Sequence, residues 1–320
     1  MILILSDRND AHANYVIEKI KLEKLPYSRF NLDVESLKET SVTYENNEWR
    51  IVQRGTTISL PEIKCVWSRR TFVELLLDEE YDQTADFKLW KNEWNKTLLG
   101  IYSSIRSLPW LNPWRESYKA ENKYLQMELA LKHKLQIPQT IVTNEKAVAL
   151  EFVRKHKYVA LKLMHQDFYK QGTEYKGLYV NKLTVQDFEK FSIAGENPIV
   201  LQKYIEKHFE VRYTVVGSEH FACKIESQRS VQTTVDWRRY DIPNTPHAAI
   251  IPPPEVVSSV NALMADLQIE YGALDFIVDN SGNWVFLEVN SMGQFLWIED
   301  LTGLPITKAI IRWMKDKLTY

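Results

Sequence analysis

The stretch of sequence that decides the fold is YGALDFIVDNSGNWVFLEVNSMGQFLWIED, residues 271–300. Its runs ALDFIVD and WVFLEVN are rich in β-branched and aromatic residues, and NSGN between them has the composition of a turn, so the stretch predicts a β-hairpin. With Ser281-Gly282 as the loop, counting back along both strands places Asp275 directly opposite Glu288. Residues opposed in this way have Cβ atoms about 4.5–5.5 Å apart.

Two opposed carboxylates repel each other unless a cation lies between them. Asn290 lies two residues beyond Glu288 and therefore shares its face of the strand. Oxygen ligands of this kind suit Mg²⁺, which takes one or two carboxylates and completes its shell with water and phosphate. The pattern thus predicts a magnesium site. The alternative on spacing alone is an ordinary hairpin with a polar outer face.

The composition is that of an ordinary globular protein, with 45% hydrophobic and 26% charged residues among 320. This length predicts two or three packed units. The net charge of −2 excludes a bulk electrostatic attraction to nucleic acid or to an anionic membrane. No apolar run approaches the ~20 residues of a membrane span. Cys65 and Cys223, the two cysteines, form no metal-ligand pattern, so we expect a reduced, cytoplasmic protein.

The beginning of the chain predicts a parallel βαβ unit, with strands at residues 2–6 and 27–32 and an amphipathic helix at 12–25. A dinucleotide site would need a glycine-rich turn after the first strand, but SDRNDAH contains no glycine. The phosphate-binding pattern GxxxxGK[ST] is absent from the whole sequence. Two prolines within residues 108–114 then predict a linker.

Lys162 is an unusual residue within the predicted strand KYVALKLM, residues 157–164. A lysine among apolar residues is costly unless it pairs with an anion, so we expect an anionic partner for it. The alternative is a lysine at a strand edge whose side chain reaches water.

The hairpin and several other motifs resemble a known enzyme family. LEVN, preceded by GALDF and followed by SMGQ, is similar to the metal-binding hairpin of ATP-grasp enzymes. VWSRR, NPWRESYKAENK, KHFEVRYTVVG, KIESQ and VDWR precede it in the order found in graspetide synthetases. These are ATP-grasp ligases that macrocyclise ribosomal peptides, microviridin ligases among them. The resemblance implies an α/β (α+β) ATP-grasp fold with an N-terminal pre-ATP-grasp α/β domain.

The same resemblance divides the chain into three parts. Residues 1–112 would be the pre-ATP-grasp domain, residues 113–198 the central ATP-grasp subdomain, and residues 199–320 the C-terminal subdomain with the metal site. Residues 165–179, which follow Lys162, are implied to be the flap that closes over the ATP phosphates.

The resemblance also implies which residues form the site. The implied ligands of Mg²⁺ are Asp275, Glu288 and Asn290. The residues implied to bind ATP are Lys123, Lys162, Gln202, Lys203, Tyr204 and Ile205, and Lys162 is also implied to support the transferred phosphate. Lys203 stands where the family frequently has an acidic residue, so only backbone contacts to adenine are implied there. For Lys123 the alternative is a solvated lysine on a helix.

Two arginines are candidates to hold a substrate carboxylate, because a guanidinium group can orient it with two parallel hydrogen bonds. Arg212 lies in EVRYTVVG, where the family places a basic residue facing the reacting centre. It shares a strand face with Glu210, which could fix its side chain. Arg238 lies in VDWR, on a predicted loop. The alternative is that both arginines form exposed ion pairs, worth about 0–1 kcal/mol each.

The implied activity is ATP-dependent ring closure. An Asp or Glu side chain of a ribosomally made precursor peptide, with a leader and an acidic core, becomes an acyl phosphate. A Ser/Thr hydroxyl or Lys amine of the same peptide then forms an ester or an amide. The resemblance implies a homodimer, and we expect no nucleic-acid or membrane partner. Two alternatives stay open, namely an ATP-grasp ligase that joins a free amino acid or small amine to a carboxylate, and a non-catalytic peptide-binding scaffold.

Overall fold

The structure, a computed structural model, describes residues 1–75, 84–162, 164, 168–171, 174–177, 181–190, 197–231, 233–235, 237 and 241–318. At residues 168–171, 174–177 and 181 the description is limited to the backbone. None of the helices in these ranges is both long enough and apolar enough to cross a membrane.

The first unit contains a parallel sheet and a small antiparallel sheet. Its elements are β1 (Ile2–Ser6), α1 (Ala11–Leu22), β2 (Tyr27–Asn31), α2 (Val34–Lys38), β3 (Thr40–Glu45), β4 (Glu48–Gln53), β5 (Thr56–Ile58), β6 (Cys65–Ser68), α3 (Ala85–Ser104), β7 (Trp110–Leu111) and α4 (Trp114–Ala120). The parallel sheet has the order β2-β1-β6-β7, which confirms the predicted βαβ unit. Tyr102 of α3 packs in one core with Leu3 of β1 and Ile51 of β4, so the helix joins the two sheets.

The second unit is built around an antiparallel sheet. Its elements are α5 (Lys123–Lys132), β8 (Thr140–Thr143), α6 (Lys146–His156), β9 (Val159–Lys162), β10 (Phe168–Gln171), β11 (Glu174–Gly177), β12 (Asn181–Leu183), α7 (Val185–Lys190) and β13 (Ile199–Lys203). The sheet order is β12-β9-β13-β8, and Val153 of α6 and Phe188 of α7 pack against Leu201 of β13. β10 and β11 pair within the predicted flap, and the rest of residues 165–179 lies outside the described residues. β13 follows the predicted boundary at residue 198 but pairs within this sheet, and the boundaries themselves stay a prediction.

The third unit carries the predicted hairpin, which spans residues 271–290. Its elements are β14 (Lys207–Val216), β15 (Glu219–Ile225), β16 (His247–Ile250), α8 (Pro254–Leu267), β17 (Tyr271–Asp279), β18 (Trp284–Asn290), α9 (Leu296–Thr302) and α10 (Ile306–Leu318). All neighbours in the sheet β16-β15-β14-β17-β18 are antiparallel. Eight of the nine residues of β17 are buried, and one of them is the carboxylate-bearing Asp275. An acidic side chain is almost never buried in this way unless it is paired.

One continuous core joins the first and third units. Ile310 and Met314 of α10 are fully buried together with Ile4 of β1 and Cys223 of β15. On its other face, the five-stranded sheet packs against α8, with Phe276 and Leu263 in the same cluster. α10 therefore holds the parallel sheet against the sheet that carries the hairpin.

Candidate active site

The hairpin formed by β17 and β18 places two carboxylates side by side. Asp275 pairs directly with Glu288, and Ala273 pairs with Asn290, as the count along the sequence predicts. Both acidic residues are buried, with 7% and 5% of their surfaces exposed. The predicted juxtaposition is therefore confirmed.

The loop that produces this pairing differs from the predicted one. The Asp279 N–H donates to the Asn283 carbonyl over 3.0 Å, so three residues, 280–282, form the loop instead of Ser281-Gly282 alone. The Asp279 carboxylate stabilises this longer loop by accepting from the N–H groups of Ser281 and Asn283, at 2.8 and 2.9 Å. The pairing near the loop is consequently shifted by one residue from the predicted pairing.

A β-bulge at Leu287 restores the predicted pairing at the site. Phe276 pairs with Phe286 while the preceding Asp275 pairs with Glu288, so β18 carries one extra residue. The Leu287 carbonyl accepts from the Lys162 ammonium at 3.4 Å. The bulge thus brings β18 into contact with the central sheet as well as realigning the carboxylates.

Lys162 has an anionic partner, as the sequence predicts, and this partner is Glu288. The Lys162 ammonium lies 2.9 Å from Oε2 of Glu288, and the ammonium of Lys123 contacts the same oxygen. Lys162 is 8% exposed and lies on β9, between β12 and β13, so the alternative of an edge lysine reaching water is wrong. Lys123, the first residue of α5, is likewise turned into the site instead of lying on a solvated helix face.

Asp275 is paired with Arg212, its direct neighbour on β14. Nη1 of Arg212 lies 3.0 and 3.1 Å from the two carboxylate oxygens, and Nη2 donates to the Gln294 carbonyl at 3.3 Å. Burial disfavours the charged guanidinium, but the carboxylate outweighs burial and raises the pKa of Arg212. The expectation that Glu210 fixes this side chain is wrong, because Glu210 pairs with Lys207 at 2.7 Å.

These charges form one row across the sheet. Arg212, Asp275 and Glu288 occupy successive cross-strand positions on β14, β17 and β18, and Lys162 and Lys123 lie beyond Glu288. Three cations and two carboxylates give the row a net charge of +1 (3 − 2) at neutral pH. A buried row with excess positive charge favours an incoming anion such as a phosphate.

The oxygen donors of the row fit Mg²⁺. Within the part of the chain that the structure describes, no group of three or more His, Cys, Asp or Glu side chains is placed to hold a metal ion. Asp275 and Glu288 provide two carboxylates, and the half-buried Asn290 has its amide nitrogen 3.5 Å from the Ala273 carbonyl, which leaves its own carbonyl oxygen as a third donor. This set suits an ion that uses one or two carboxylates and completes its shell with water and phosphate oxygens.

A cleft lies beside this row, between the central sheet and the five-stranded sheet. Its lining residues are Pro138, Ala160, Lys162, Gln202, Lys203, Tyr204, Ile205, Lys207, Glu210, Val235, Trp237, Asp275, Ile277, Leu287 and Glu288. The cleft thus brings together most of the predicted nucleotide and metal residues. Lys123 and Arg212 do not line the cleft but contact Glu288 and Asp275, which do. Arg238 lies outside the described residues.

The segment predicted to contact adenine forms one wall of the cleft. The Tyr204 N–H donates to the Tyr158 carbonyl at 3.1 Å, and the Lys182 ammonium lies 4.3 and 4.0 Å from the ring centroids of Tyr158 and Tyr204. Burial, reinforced by Glu206 and Glu210, raises the pKa of Tyr204 to about 12, so its phenol is neutral near pH 7. A backbone hydrogen bond and the Lys182 side chain therefore both hold Tyr204 in the wall of the cleft.

Lys207 and Glu210 form a buried ion pair in the cleft that the sequence analysis missed. Their charged groups lie 2.7 Å apart, and the Lys207 ammonium also donates to the Val235 carbonyl at 3.0 Å. A register shift between Lys207 and Phe209 allows residues three positions apart to share a face. The available signal is KHFE at the start of an apolar strand, but strict alternation assigns its two charges to opposite faces.

Comparisons with known proteins agree with this geometry. Residues 1–118 match the family model described as the MvdD pre-ATP grasp domain. Over 99% of its length the chain is similar to a RiPP-associated ATP-grasp ligase of Chryseobacterium gregarium, solved in complex with ADP and a leader and core peptide. The two have 29% identity, a TM-score of 0.86 and 96% coverage of that protein. RiPPs are ribosomally made, post-translationally modified peptides.

Two macrocyclases of Microcystis aeruginosa are similar as well. MdnB has 28% identity and a TM-score of 0.79, with 97% of each chain covered. MdnC, solved with the precursor peptide MdnA, has 24% identity and a TM-score of 0.80, covering 97% of this chain and 98% of that one, and at this identity it supports the fold alone. A comparison with curated protein sequences gives no match.

The fold and the site together are similar to those of ATP-grasp ligases, and residues 1–118 match a pre-ATP-grasp domain. Within that class, the chain resembles RiPP-associated ligases and macrocyclases over nearly its whole length, so the resemblance read from its motifs is confirmed.

Proposed function

We propose that the protein is an ADP-forming ligase that closes side-chain ester or amide rings within a ribosomally made precursor peptide. The observation that carries this proposal is the charged row beside the cleft, in which Asp275 and Glu288 pair with three cations. The similar ligase of C. gregarium, bound to ADP and a leader and core peptide, supports the choice of nucleotide and peptide.

The lining of the cleft combines apolar side chains with a few charged ones, as is usual for a small-molecule site. We expect the adenine of ATP to lie against residues 202–205 and its phosphates to lie toward Lys162 and Lys123. Mg²⁺, when bound, would be held by Asp275, Glu288 and Asn290 and would neutralise charge on the phosphates.

The chemistry then proceeds in two steps. A carboxylate oxygen of a peptide Asp or Glu attacks the γ-phosphorus, the bond to the ADP oxygen breaks, and an acyl phosphate forms. A Ser/Thr hydroxyl or Lys amine of the same peptide attacks the acyl carbon and loses its proton, and phosphate departs with the former carboxylate oxygen. Lys162 stabilises the charge of the transferred phosphate, while Arg212 and Arg238 are proposed to orient the peptide carboxylate. Positioning and charge stabilisation are sufficient for this reaction.

Mass spectrometry of a precursor peptide co-expressed with the protein tests this function. We expect the core peptide to lose the mass of one water for each ring, with one ATP converted to ADP each time. A ligase for a free amino acid or amine would increase the peptide mass instead. Absence of peptide-stimulated ATP turnover with every candidate peptide would contradict ligation and support the scaffold alternative.

Replacing Lys162 by Met is expected to weaken ATP binding about 10–100-fold, because a hydrogen bond to a charged group contributes about 1.5–3 kcal/mol. Methionine keeps the length and apolar character of the buried stem but removes the charge. Calorimetric titration with ATP and Mg²⁺ measures the effect, and Lys146→Met, an exposed lysine at the start of α6, serves as the matched control. Parental affinity in Lys162→Met would remove Lys162 from the phosphate site.

We further propose a cytoplasmic homodimer. The family resemblance supports the dimer, which light scattering at several protein concentrations would test. The two free, buried thiols of Cys65 and Cys223 fit a reducing compartment.

A further inference from the structure

The backbone that follows the metal-binding strand is held by side chains from distant parts of the chain. Directly after β18, the carbonyls of Met292 and Gly293 accept from Nη1 of Arg69, at 2.7 and 3.2 Å. The Gly293 carbonyl also accepts from the Tyr271 hydroxyl at 2.7 Å, and the Gln294 carbonyl accepts from Arg212 at 3.3 Å. Three consecutive carbonyls in a segment without regular structure therefore each have a side-chain donor.

Arg69 is the donor that comes from the first unit. It follows β6 in the VWSRR motif, is 3% exposed, and its Nε lies 3.4 Å from Oδ2 of Asp10. The other oxygen of Asp10 caps α1 by accepting from the Ala13 N–H at 2.8 Å. Burial favours the neutral acid, but Arg69 and this cap outweigh it and lower the pKa of Asp10. The Arg69 guanidinium is thus held by a carboxylate of the first unit while it donates to carbonyls of the third unit.

The segment that Arg69 contacts is tightly packed at Gly293. A Cβ atom added to Gly293 would lie 2.4 Å from the Ala273 Cβ, 2.7 Å from Nη2 of Arg212 and 3.3 Å from the Asn290 Cβ. The Gly293 N–H also donates to the Asn290 carbonyl at 3.2 Å. The position of Gly293 therefore limits the space available to Asn290 and to Arg212.

We propose that Arg69 is a positioning residue for the metal site, which it controls from the pre-ATP-grasp domain by fixing the backbone at residues 292–293. The pre-ATP-grasp domain would then contribute to Mg²⁺ binding without touching the ion. This inference rests on the proposed function, because it assigns a role toward the Mg²⁺ of that same site. Side chains that orient metal ligands typically change metal affinity by about 10–100-fold when they are replaced.

The test compares Arg69→Met with Arg70→Met, its neighbour in the sequence. Arg70 pairs with Asp7 at 3.2 Å and with Glu74 at 3.6 Å, both in the first unit, and so provides the same loss of charge without the contact to residues 292–293. A double variant, Arg69→Met with Asp10→Asn, avoids leaving a buried carboxylate without its cation, and asparagine caps a helix as well as aspartate does. Arg69→Lys keeps the charge, but one nitrogen replaces the Nη1 that donates to residues 292–293 and the Nε that contacts Asp10.

ADP binding is measured by calorimetry over a range of Mg²⁺ concentrations and without Mg²⁺. In Arg69→Met and in the double variant, we expect the Mg²⁺ concentration for half-maximal enhancement of ADP binding to rise about 10–100-fold. Binding of ADP without Mg²⁺ should stay parental, Arg70→Met should match the parent, and Arg69→Lys should be intermediate.

Parental Mg²⁺ dependence in a folded Arg69→Met or in the double variant would overturn the inference alone. If neither of these variants folds, Arg69→Lys decides in the same way, since a parental value there contradicts a role for a guanidinium that contacts Asp10 and residues 292–293 at once. A parent protein whose ADP binding does not depend on Mg²⁺ at all would contradict the metal site, and with it both the proposed function and this inference.

Discussion

Glu288→Gln is expected to reduce ATP turnover at least about 10²-fold, since the charge stabilisation supplied by a bound metal is worth several kcal/mol. Glutamine keeps the shape of the side chain and removes one of the two carboxylates of the proposed Mg²⁺ site. It also removes the shared partner of Lys123 and Lys162, whose ammonium groups would then repel each other in a buried position. Breaking a buried ion pair by removing one partner commonly costs about 3–5 kcal/mol, so we also expect a lower unfolding temperature without nucleotide.

Steady-state ATP turnover with a competent peptide, measured against Mg²⁺ concentration, checks this expectation. Glu255→Gln, an exposed acid in the first turn of α8, is the matched control and should leave turnover unchanged. Turnover near the parental value in Glu288→Gln would refute the assignment of the hairpin as the metal site. A folded protein with lost turnover and intact Mg²⁺-free nucleotide binding would support it.

Arg212→Ala is expected to abolish ring closure, with a loss of at least about 10²-fold, comparable to removing one donor that stabilises developing charge. The sequence alone suggests that ATP binding would survive this change. The contact with Asp275 modifies that expectation, because the alanine variant leaves a buried carboxylate without its cation. We therefore expect Arg212→Ala to weaken Mg²⁺-dependent nucleotide binding as well.

Arg212→Lys separates the two roles of this residue. Lysine keeps a positive charge beside Asp275 but cannot offer the paired donors that orient a peptide carboxylate. We expect this variant to bind nucleotide and Mg²⁺ nearly as the parent does, by calorimetry, and to leave the peptide mass unchanged. Arg312→Lys, an exposed arginine paired with Glu219 at 2.6 Å, is the control. Ring closure at the parental rate in Arg212→Lys would limit Arg212 to holding Asp275, and Arg238 would become the next candidate.

Local patterns were sufficient to predict the carboxylates of the site. Alternation along a strand and the position of a turn depend on neighbouring residues, and these place Asp275, Glu288 and Asn290 together. The prediction contained one error of register, since the loop has three residues and not two. The bulge at Leu287 compensates for that error. A bulge depends on how the strand fits its surroundings, and here the Phe286 N–H donates to the Gln136 carbonyl at 2.7 Å. The pattern of residues along the strand does not reveal the bulge.

The burial of Lys162 and its need for an anion could also be predicted, because a charge within an apolar run has few stable arrangements. The identity of the partner could not. Glu288 is 126 residues away in sequence (288 − 162), and only the packing of the central sheet against β18 brings the two groups to 2.9 Å. Arg212 illustrates the same limit, since Glu210 on its own strand is about 7 Å away by strand geometry, whereas a directly opposed residue is about 4.5–5.5 Å away.

By itself, the sequence determined the hairpin, its paired carboxylates, the buried lysine and the family to which the motifs point, because each depends on residues close together in the chain. The tertiary structure alone decided which cation pairs with which carboxylate and which part of the chain contacts residues 292 and 293. The contact of Arg69 with residues 292 and 293 spans more than 220 positions and exists because α10 packs the parallel sheet against the five-stranded sheet. Ion pairing falls off over a few ångströms, so the neighbours that the folded chain supplies decide it.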